Sequence, residues 1–235
     1  MDQYFYSTNI GNDFIILPEA EAHHALKVLR KKVGDTILIV DGKGSIYEST
    51  FENEDFHNCK LRINIKYRDN DMVNSGIHIA IAPTKSHDRL EWFIEKSVEL
   101  GIQEISFIAT GNSERKNIKL NRIKKNAISS MKQSLKSRLP IINDIVPFRT
   151  FLNKCINSQK FIAYLDEKES PHLFKLATKD QDICVLIGPE GDFNPLEIEN
   201  AKGLGFKRVS LGPSRLRTET AAIAACHILN LINQK

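Results

Sequence analysis

The sequence offers little with which to bind a metal or build a disulfide framework. Its 235 residues hold four cysteines, Cys59, Cys155, Cys184 and Cys226, widely scattered and with no Cys-x-x-Cys pair. No His/Cys cluster has zinc-ligand spacing, so no metal site is expected. The cysteines read as buried free thiols of a reducing compartment. His227, on an apolar stretch, reads as a satisfied buried histidine rather than a ligand. No apolar run approaches the roughly 20 residues a membrane span needs. The start, Met1-Asp2-Gln3-Tyr4-Phe5-Tyr6, lacks the basic and apolar regions of a secretory signal. A cytoplasmic protein without a membrane partner is therefore expected. There is no internal repeat and no low-complexity tract. Neither charge sign dominates: 33 Lys+Arg against 29 Asp+Glu leave a net +4. A sum that small says little, because location decides what charge can do.

What is present divides the chain in two. Residues 1 to about 70 read as mostly β, with a net charge of −2. Leu61, Ile63, Ile65 and Tyr67 alternate with polar residues at the period of a half-buried strand. Ile37 to Val40 is a short apolar run, and Asp41-Gly42-Lys43-Gly44 is a turn signal after it. One short helix is expected from Glu19 to Arg30. Short strands with one helix suggest a small barrel. The polar stretch Arg68 to Gly76 marks a domain boundary, dividing the chain into 1–72 and 73–235.

Strands and helices alternate after Gly76. Ile77, Ile79 and Ile81 form a strand. Leu90, Phe93, Ile94, Ser97 and Val98 share one face of a helix over Asp88 to Leu100, and Gly101 ends it. Further strands are expected at Ile102 to Ile108, Phe161 to Leu165, Ile183 to Ile187 and Lys207 to Leu211. Helices are expected at Leu120 to Ser137 and Thr218 to Ile232. Asn194-Pro195-Leu196-Glu197 has the cap, first-turn proline and acid of a capping box. The alternation implies a mainly parallel sheet covered on both faces, an α/β fold.

Three segments could carry chemistry. Residues 114–140 hold nine basic side chains and one acid, Glu114, a net of +8. At ~100° per residue, Arg122, Lys125, Lys132 and Lys136 fall within an arc of ~80°, with Leu120, Ile123, Ala127 and Met131 roughly opposite. A stripe without interleaved acids suits a polyphosphate backbone, although a solvated helix face is the plainer reading. Leu186-Ile187-Gly188-Pro189-Glu190-Gly191-Asp192-Phe193 lies between a buried strand and a capped helix, where open α/β sheets bind ligands. It has neither the Walker spacing nor the dinucleotide fingerprint. Leu211 to Ala222 is a second strand end running into a Gly-Pro loop. It carries Arg215, Arg217 and Glu219 into an almost wholly apolar helix. Arg217 and Glu219 could simply pair and cap that helix.

Taken together, the motifs resemble the bacterial 16S ribosomal RNA uracil-N3 methyltransferases of the RsmE type, in the SPOUT (α/β-knot) superfamily. The resemblance runs through His24-Ala25-Leu26-Lys27-Val28-Leu29-Arg30, Asp41-Gly42-Lys43-Gly44, Lys85 with Asp88-Arg89, and Lys96 to Gly101. It continues through Ser113-Glu114-Arg115, Lys132-Gln133-Ser134, Leu139-Pro140, Ile187 to Gly191, and Leu216-Arg217-Thr218-Glu219-Thr220-Ala221. Two positions depart from the family pattern. Asp192 stands where a second glycine is frequent, and Lys132 where a glutamate is.

The resemblance implies an N-terminal PUA-like β-barrel, followed by an α/β-knot domain threaded as a deep trefoil knot. It implies S-adenosylmethionine as cofactor, a homodimer, and 16S ribosomal RNA or the 30S subunit as substrate. By motif position, the cofactor residues would be Leu165, Ile187, Gly188, Pro189, Glu190, Gly191, Leu211, Gly212, Leu216 and Thr218. The RNA-binding residues would be His24, Arg30, Lys85, Arg89, Arg115, Arg122, Lys125, Lys132 and Arg138. The expected reaction methylates N3 of one uridine, whose imide proton must first leave. Arg217 and Glu219 are the expected catalytic pair, as anion stabiliser and proton acceptor, with Arg115 and Glu190 as substitutes. Methylation of a ribose 2′-oxygen, or a non-catalytic role in assembly, are the alternatives.

Overall fold

A computed structural model describes residues 3–68, 76–164 and 170–234. The expected boundary stretch lies largely outside these residues, as does Leu165. Two compact units emerge, Met1–Met72 with Ile128–Leu139, and Val73–Ala127 with Pro140–Lys235. Residues 128–139 thus join the first unit although they interrupt the second in sequence.

The first unit is a six-stranded sheet: β1 (Tyr4–Tyr6), β2 (Asn9–Ile10), β3 (Phe14–Leu17), β4 (Thr36–Val40), β5 (Ser45–Phe51) and β6 (Cys59–Arg68). Its order is β1-β4-β5-β6-β3-β2. All pairings are antiparallel except β1 with β4. Alternation places Ile15, Leu17, Ile37, Ile39, Tyr47, Phe51 and Leu61 in one core with Phe5, Ala22 and Ala25. The expected helix is present but changes pitch. α1 (Glu19–His23) gives way to a π-helical turn over His24–Val28.

Residues 128–139 belong here because the Asp41–Gly44 turn receives them. Leu139 N–H donates to Gly42 O at 2.9 Å, and Gly44 N–H to Ser137 O at 3.1 Å. Gly44 has φ +99, and a Cβ there would collide with the Arg138 guanidinium. Glycine is required at this position both for its backbone angle and for the close approach.

The second unit is a wholly parallel sheet of β7 (Ile77–Ile81), β8 (Glu104–Ala109), β9 (Ile141–Pro147), β10 (Gln159–Ala163), β11 (Ile183–Ile187) and β12 (Lys207–Val209), in the order β12-β10-β11-β7-β8-β9. β7 lies between its successor β8 and the much later β11. The direction of winding changes there, which is where open α/β sheets place ligands. Phe148, Phe151 and Leu152 of α4 (Phe148–Lys154), Ala201 of α6 (Pro195–Gly203), Phe193 and Phe206 pack on Ala80, Ala82, Ile108, Ile162, Cys184 and Leu186. α7 (Thr218–Asn233) lies on β7 and β11 and against α2 (His87–Glu99) and α5 (Leu173–Leu176).

The local signals translate closely. α2 buries Leu90, Phe93, Ile94, Ser97 and Val98, and Gly101 follows it at φ +81. α6 starts with the expected box: Asn194 Oδ1 accepts from Glu197 N–H and Glu197 Oε2 from Asn194 N–H, both at 2.9 Å. Glu197 Oε1 also accepts Gly111 N–H at 2.7 Å, tying the cap to the end of β8. The helix α3 (Leu120–Gln133) stops short of Ser137, since Leu135 takes φ +53 and leaves the helical region. Lys136 is therefore not on the helix, and the four-residue stripe is shorter than its spacing predicts. β8 and β12 are also displaced or shortened at their ends relative to the apolar runs. β9, α4 and α5 carry no signal strong enough to be read from the sequence. The exposed and half-buried residues of β9 follow no period-two alternation.

All four cysteines are free, and all but the half-buried Cys155 are buried. Burial pushes the Cys226 thiol up to about 12, so it stays protonated. No described helix is long and apolar enough to cross a membrane.

One buried histidine makes stability depend on pH. His78 of β7 has Nε2 2.8 Å from Ser106 Oγ and Nδ1 3.2 Å from Asn157 Oδ1. Burial lowers its pKa below the ordinary 6.5, against the opposing pull of Glu104 at 3.7 Å. The folded state thus favours neutral imidazole. Its contribution is complete above about pH 6.5 and is lost as pH falls through the lowered value. Urea unfolding at pH 7.5 and 5.5 should show His78→Asn losing less stability on acidification than the unmodified protein. The difference is bounded by ~1.4 kcal/mol per pH unit for one proton. Equal pH dependence would remove His78 from this role.

Candidate functional site

The carboxyl ends of β10, β11 and β12 surround a cavity of about 430 Å³. That volume suits a cofactor-sized ligand. Ala163, Ile187 and Val209 close the three strands beneath it. Of the ten expected cofactor residues, eight line the cavity: Ile187, Gly188, Pro189, Glu190, Leu211, Gly212, Leu216 and Thr218. Gly191 does not, and Leu165 lies outside the described residues. Its neighbour Tyr164 lines the wall, with the Arg208 guanidinium over its ring at 5.0 Å.

Loop geometry explains the glycines and one departure from the family pattern. A Cβ on Gly188 would press against Asp192 Oδ1 at 3.1 Å and the Phe193 ring at 3.2 Å. The turn closes on itself too tightly for a side chain. Asp192 has φ +59, the left-handed region that glycine enters most readily. Aspartate is tolerated there, and its Oδ1 accepts the Phe193 N–H at 2.8 Å. Gly212 takes φ +128 in the second loop.

The charged groups divide into those that face the cavity and those that hold others. Arg89, Arg215 and Arg217 line it, as do Glu190 and Asp192. Arg217 is exposed and caps α7 by backbone position only, its side chain making no cap bond. Glu219 is 5% exposed, in the first turn of α7, and is not among the cavity-lining residues. Its Oε1 lies 3.6 Å from Arg89 Nε. The pairing of Arg217 with Glu219 weighed from the sequence is replaced by Arg89 with Glu219. Arg89, expected among the RNA residues, lines the cavity. Asp192, Ser210, Ser214 and Arg215 also line the cavity beyond the expected set. They flank the expected residues in the same two loops, so loop membership was the available signal.

The cavity fits S-adenosylmethionine on its own evidence. Ile187, Val209, Leu211 and Leu216 supply apolar wall for an adenine ring. The turn at Gly188 has no room for a side chain to intrude. Carboxylates and guanidiniums together suit a ligand that is cationic at sulfur and amine and anionic at its carboxylate.

The remaining expected RNA residues are less uniform than a free basic stripe. Arg115 Nε donates to Thr84 O at 3.0 Å, and the guanidinium also meets Lys85 O and the His87 ring. It acts as a strut for the loop after β7. Lys85 pairs with Glu114 at 2.9 Å, while its N–H donates to Glu190 Oε1 at 3.2 Å. Arg122 pairs with Glu91 of α2, and Lys132 with Glu21 of α1. The acids missing from the helix in sequence thus arrive from other elements in space. His24 bonds Gln3 at 2.9 Å. Lys125 is exposed, with no ion pair among the described residues, and Arg138 lies against Gly44.

A six-stranded β unit followed by a parallel α/β unit, with a cofactor-sized cavity at the strand ends, defines an α/β protein of the ligand-binding class. Family models describing an RNA methyltransferase domain and an RNA methyltransferase PUA domain match residues 72–230 and 17–64. The ribosomal RNA small subunit methyltransferase E of Buchnera aphidicola subsp. Schizaphis graminum is 32% identical over 94% of this chain and 91% of its own. A probable rRNA-methyltransferase from Porphyromonas gingivalis superposes with TM-score 0.92 at 40% identity, covering 99% of this chain and 98% of its own. The methyltransferase E of Neisseria gonorrhoeae, solved bound to S-adenosyl methionine, gives 0.89 at 26% identity over the same shares. The chain belongs to the RNA methyltransferase family of the ribosomal RNA small subunit methyltransferase E type.

Proposed function

We propose that this protein transfers the methyl group of S-adenosylmethionine to N3 of one uridine in 16S ribosomal RNA, free or in the 30S subunit. The observation that carries this reading is the cavity at the ends of β10, β11 and β12, walled by the residues that the family resemblance marks for cofactor. Residues 1–72 serve as the RNA-binding domain and 73–235 as the catalytic domain. The substrate places the protein in the bacterial cytoplasm.

The chemistry assigns roles to the side chains at the cavity. The cofactor supplies an activated methyl on a positive sulfur. N3 of uracil carries a proton, and its lone pair becomes available when that proton leaves and charge spreads to O2 and O4. Arg217, at the mouth of α7, faces the developing anion. Of the carboxylates suggested by the sequence, Glu190 lines the cavity and takes the proton. Glu219 is turned away, buried against Arg89, and acts by positioning that guanidinium. N3 is engaged in ordinary base pairs, so the target base must be unpaired or extruded.

We also infer a homodimer. Trp92 of α2 and Leu231 of α7 remain exposed on two helices that pack together, leaving apolar surface for a second copy. Isothermal calorimetry should give one S-adenosylmethionine site per chain, and sedimentation a mass of two chains. Absence of cofactor binding would overturn the catalytic reading.

A further inference from the structure

The turn after the π-helical segment has a combination of features that the cavity does not explain. Between Glu21 and Asp35 the sequence has four cations, Lys27, Arg30, Lys31 and Lys32, and no acid. None of the four has an ion pair among the described residues. Val28, Leu29 and Val33 sit among them, 60%, 40% and 55% exposed. Three large apolar side chains within six residues leave 40–60% of their surface to solvent. They cost solvation that a partner could recover.

The backbone of this turn is built rather than loose. Leu29 N–H donates to His24 O and Lys31 N–H to Ala25 O, each at 3.0 Å, closing wider rings than an α-helix does. Lys32 N–H donates to Asp35 Oδ2 at 2.9 Å, Val33 N–H to Glu54 Oε1 at 3.2 Å, and Gly34 N–H to Phe51 O at 3.0 Å. The neighbouring acids Asp35 and Glu54 are thus engaged with backbone amides at the base of the turn. Arg30 takes φ +55, a left-handed conformation that a long side chain adopts at a cost of order 1 kcal/mol. Wide helical turns and strained non-glycine residues both concentrate at functional sites. The strain here turns the tip outward and fixes it.

We infer that residues 27–33 form a preformed knuckle that grips structured RNA. Lys27, Arg30, Lys31 and Lys32 neutralise phosphates, while Val28, Leu29 and Val33 pack on an unstacked base or ribose. The charge selects the occupant: four cations without a carboxylate partner among the described residues, one of them, Lys27, seated over the Phe56 ring at 5.4 Å, surround an apolar tip and fit a polyanion with flat apolar faces. The inference rests on the proposed RNA substrate and adds a place where that substrate is held.

The experiment uses full-length protein, small-subunit particles lacking the modification, and labelled S-adenosylmethionine. V28S/L29S is expected to raise the KM for particles about ten-fold, with kcat and cofactor affinity unchanged, the size ordinarily lost with one stacked base. The salt dependence of binding should stay the same for that variant. K31E/K32E should weaken binding and flatten the slope of log K against log salt by roughly two. The seven side chains from Lys27 to Val33 are half-buried or exposed, so thermal unfolding should be unchanged. An unaltered particle KM for V28S/L29S, with normal methylation by the unmodified protein, overturns the knuckle. Failure of the unmodified protein to methylate any RNA overturns the proposed function instead. Weaker binding by V28S/L29S together with a flattened salt slope would show that the apolar tip only orients the cations, and would overturn its role as a base contact.

Discussion

Arg217→Ala is expected to lower the methylation rate at least ~100-fold, about 3 kcal/mol of transition-state stabilisation. S-adenosylmethionine affinity should stay within a few-fold. The effect is large because the guanidinium matters mainly once the imide proton has gone and the base carries charge. We expect ground-state cofactor binding to keep the apolar walls and the Gly188 turn, with Arg89 and Arg215 still lining the cavity to meet the ligand's carboxylate. Arg217 is exposed and makes no side-chain cap, so α7 should not unravel. Single-turnover kinetics with calorimetry separate the two quantities. Equal loss of cofactor affinity and rate would make Arg217 a binding residue, and an unchanged rate would remove it from the site.

Glu219→Gln should cost roughly 10- to 100-fold in rate through a different route. The substitution keeps shape and removes charge from a group 5% exposed, leaving the Arg89 guanidinium without its counter-charge. Arg89 is 43% exposed at its side chain, so water compensates in part. The stability loss is accordingly expected at roughly 1–2 kcal/mol, below the range for a fully buried pair. Arg89→Ala should show a similar rate defect. The double variant should be little worse than either single one, because both act through one contact. Additive defects would show that Glu219 has a role apart from Arg89. A Glu219→Gln pH–rate profile that has lost its acidic limb would restore it as proton acceptor.

Local sequence signals carried far here, for identifiable reasons. The capping box at Asn194, the buried face of α2 and the stop at Gly101 depend on residues within one or two turns, so spacing alone reveals them. The two cavity loops were legible because glycine and proline at strand ends mark where the backbone must turn sharply. Partnerships across space were not legible. Nothing in the sequence near Arg122 or Lys132 announces Glu91 or Glu21, so a helix that looks single-signed along the chain is partly neutralised in the fold. Arg89 and Glu219 stand 130 positions apart, and their pairing depends on α2 meeting α7. The same limit explains residues 128–139, whose place in the first unit is set by the Asp41–Gly44 turn.

The two departures from the family pattern are each accommodated by a visible contact. Asp192 takes the left-handed backbone and bonds the next amide, and Lys132 finds Glu21. Asp192 is itself part of the cavity wall, and Lys132 lies outside it. The net charge of +4 is thus a weak guide to partners: the second unit brings three arginines and two acids to the cavity, and the first presents a cationic turn at residues 27–32 with no ion pair among the described residues.

The central claim is the identity of the methylated atom. Purified protein should be incubated with small-subunit particles and isotope-labelled S-adenosylmethionine, and the RNA then digested to nucleosides and resolved by mass spectrometry. The account predicts one labelled product, 3-methyluridine, at a single position. Label on a ribose 2′-oxygen, or on no nucleoside at all, would contradict it.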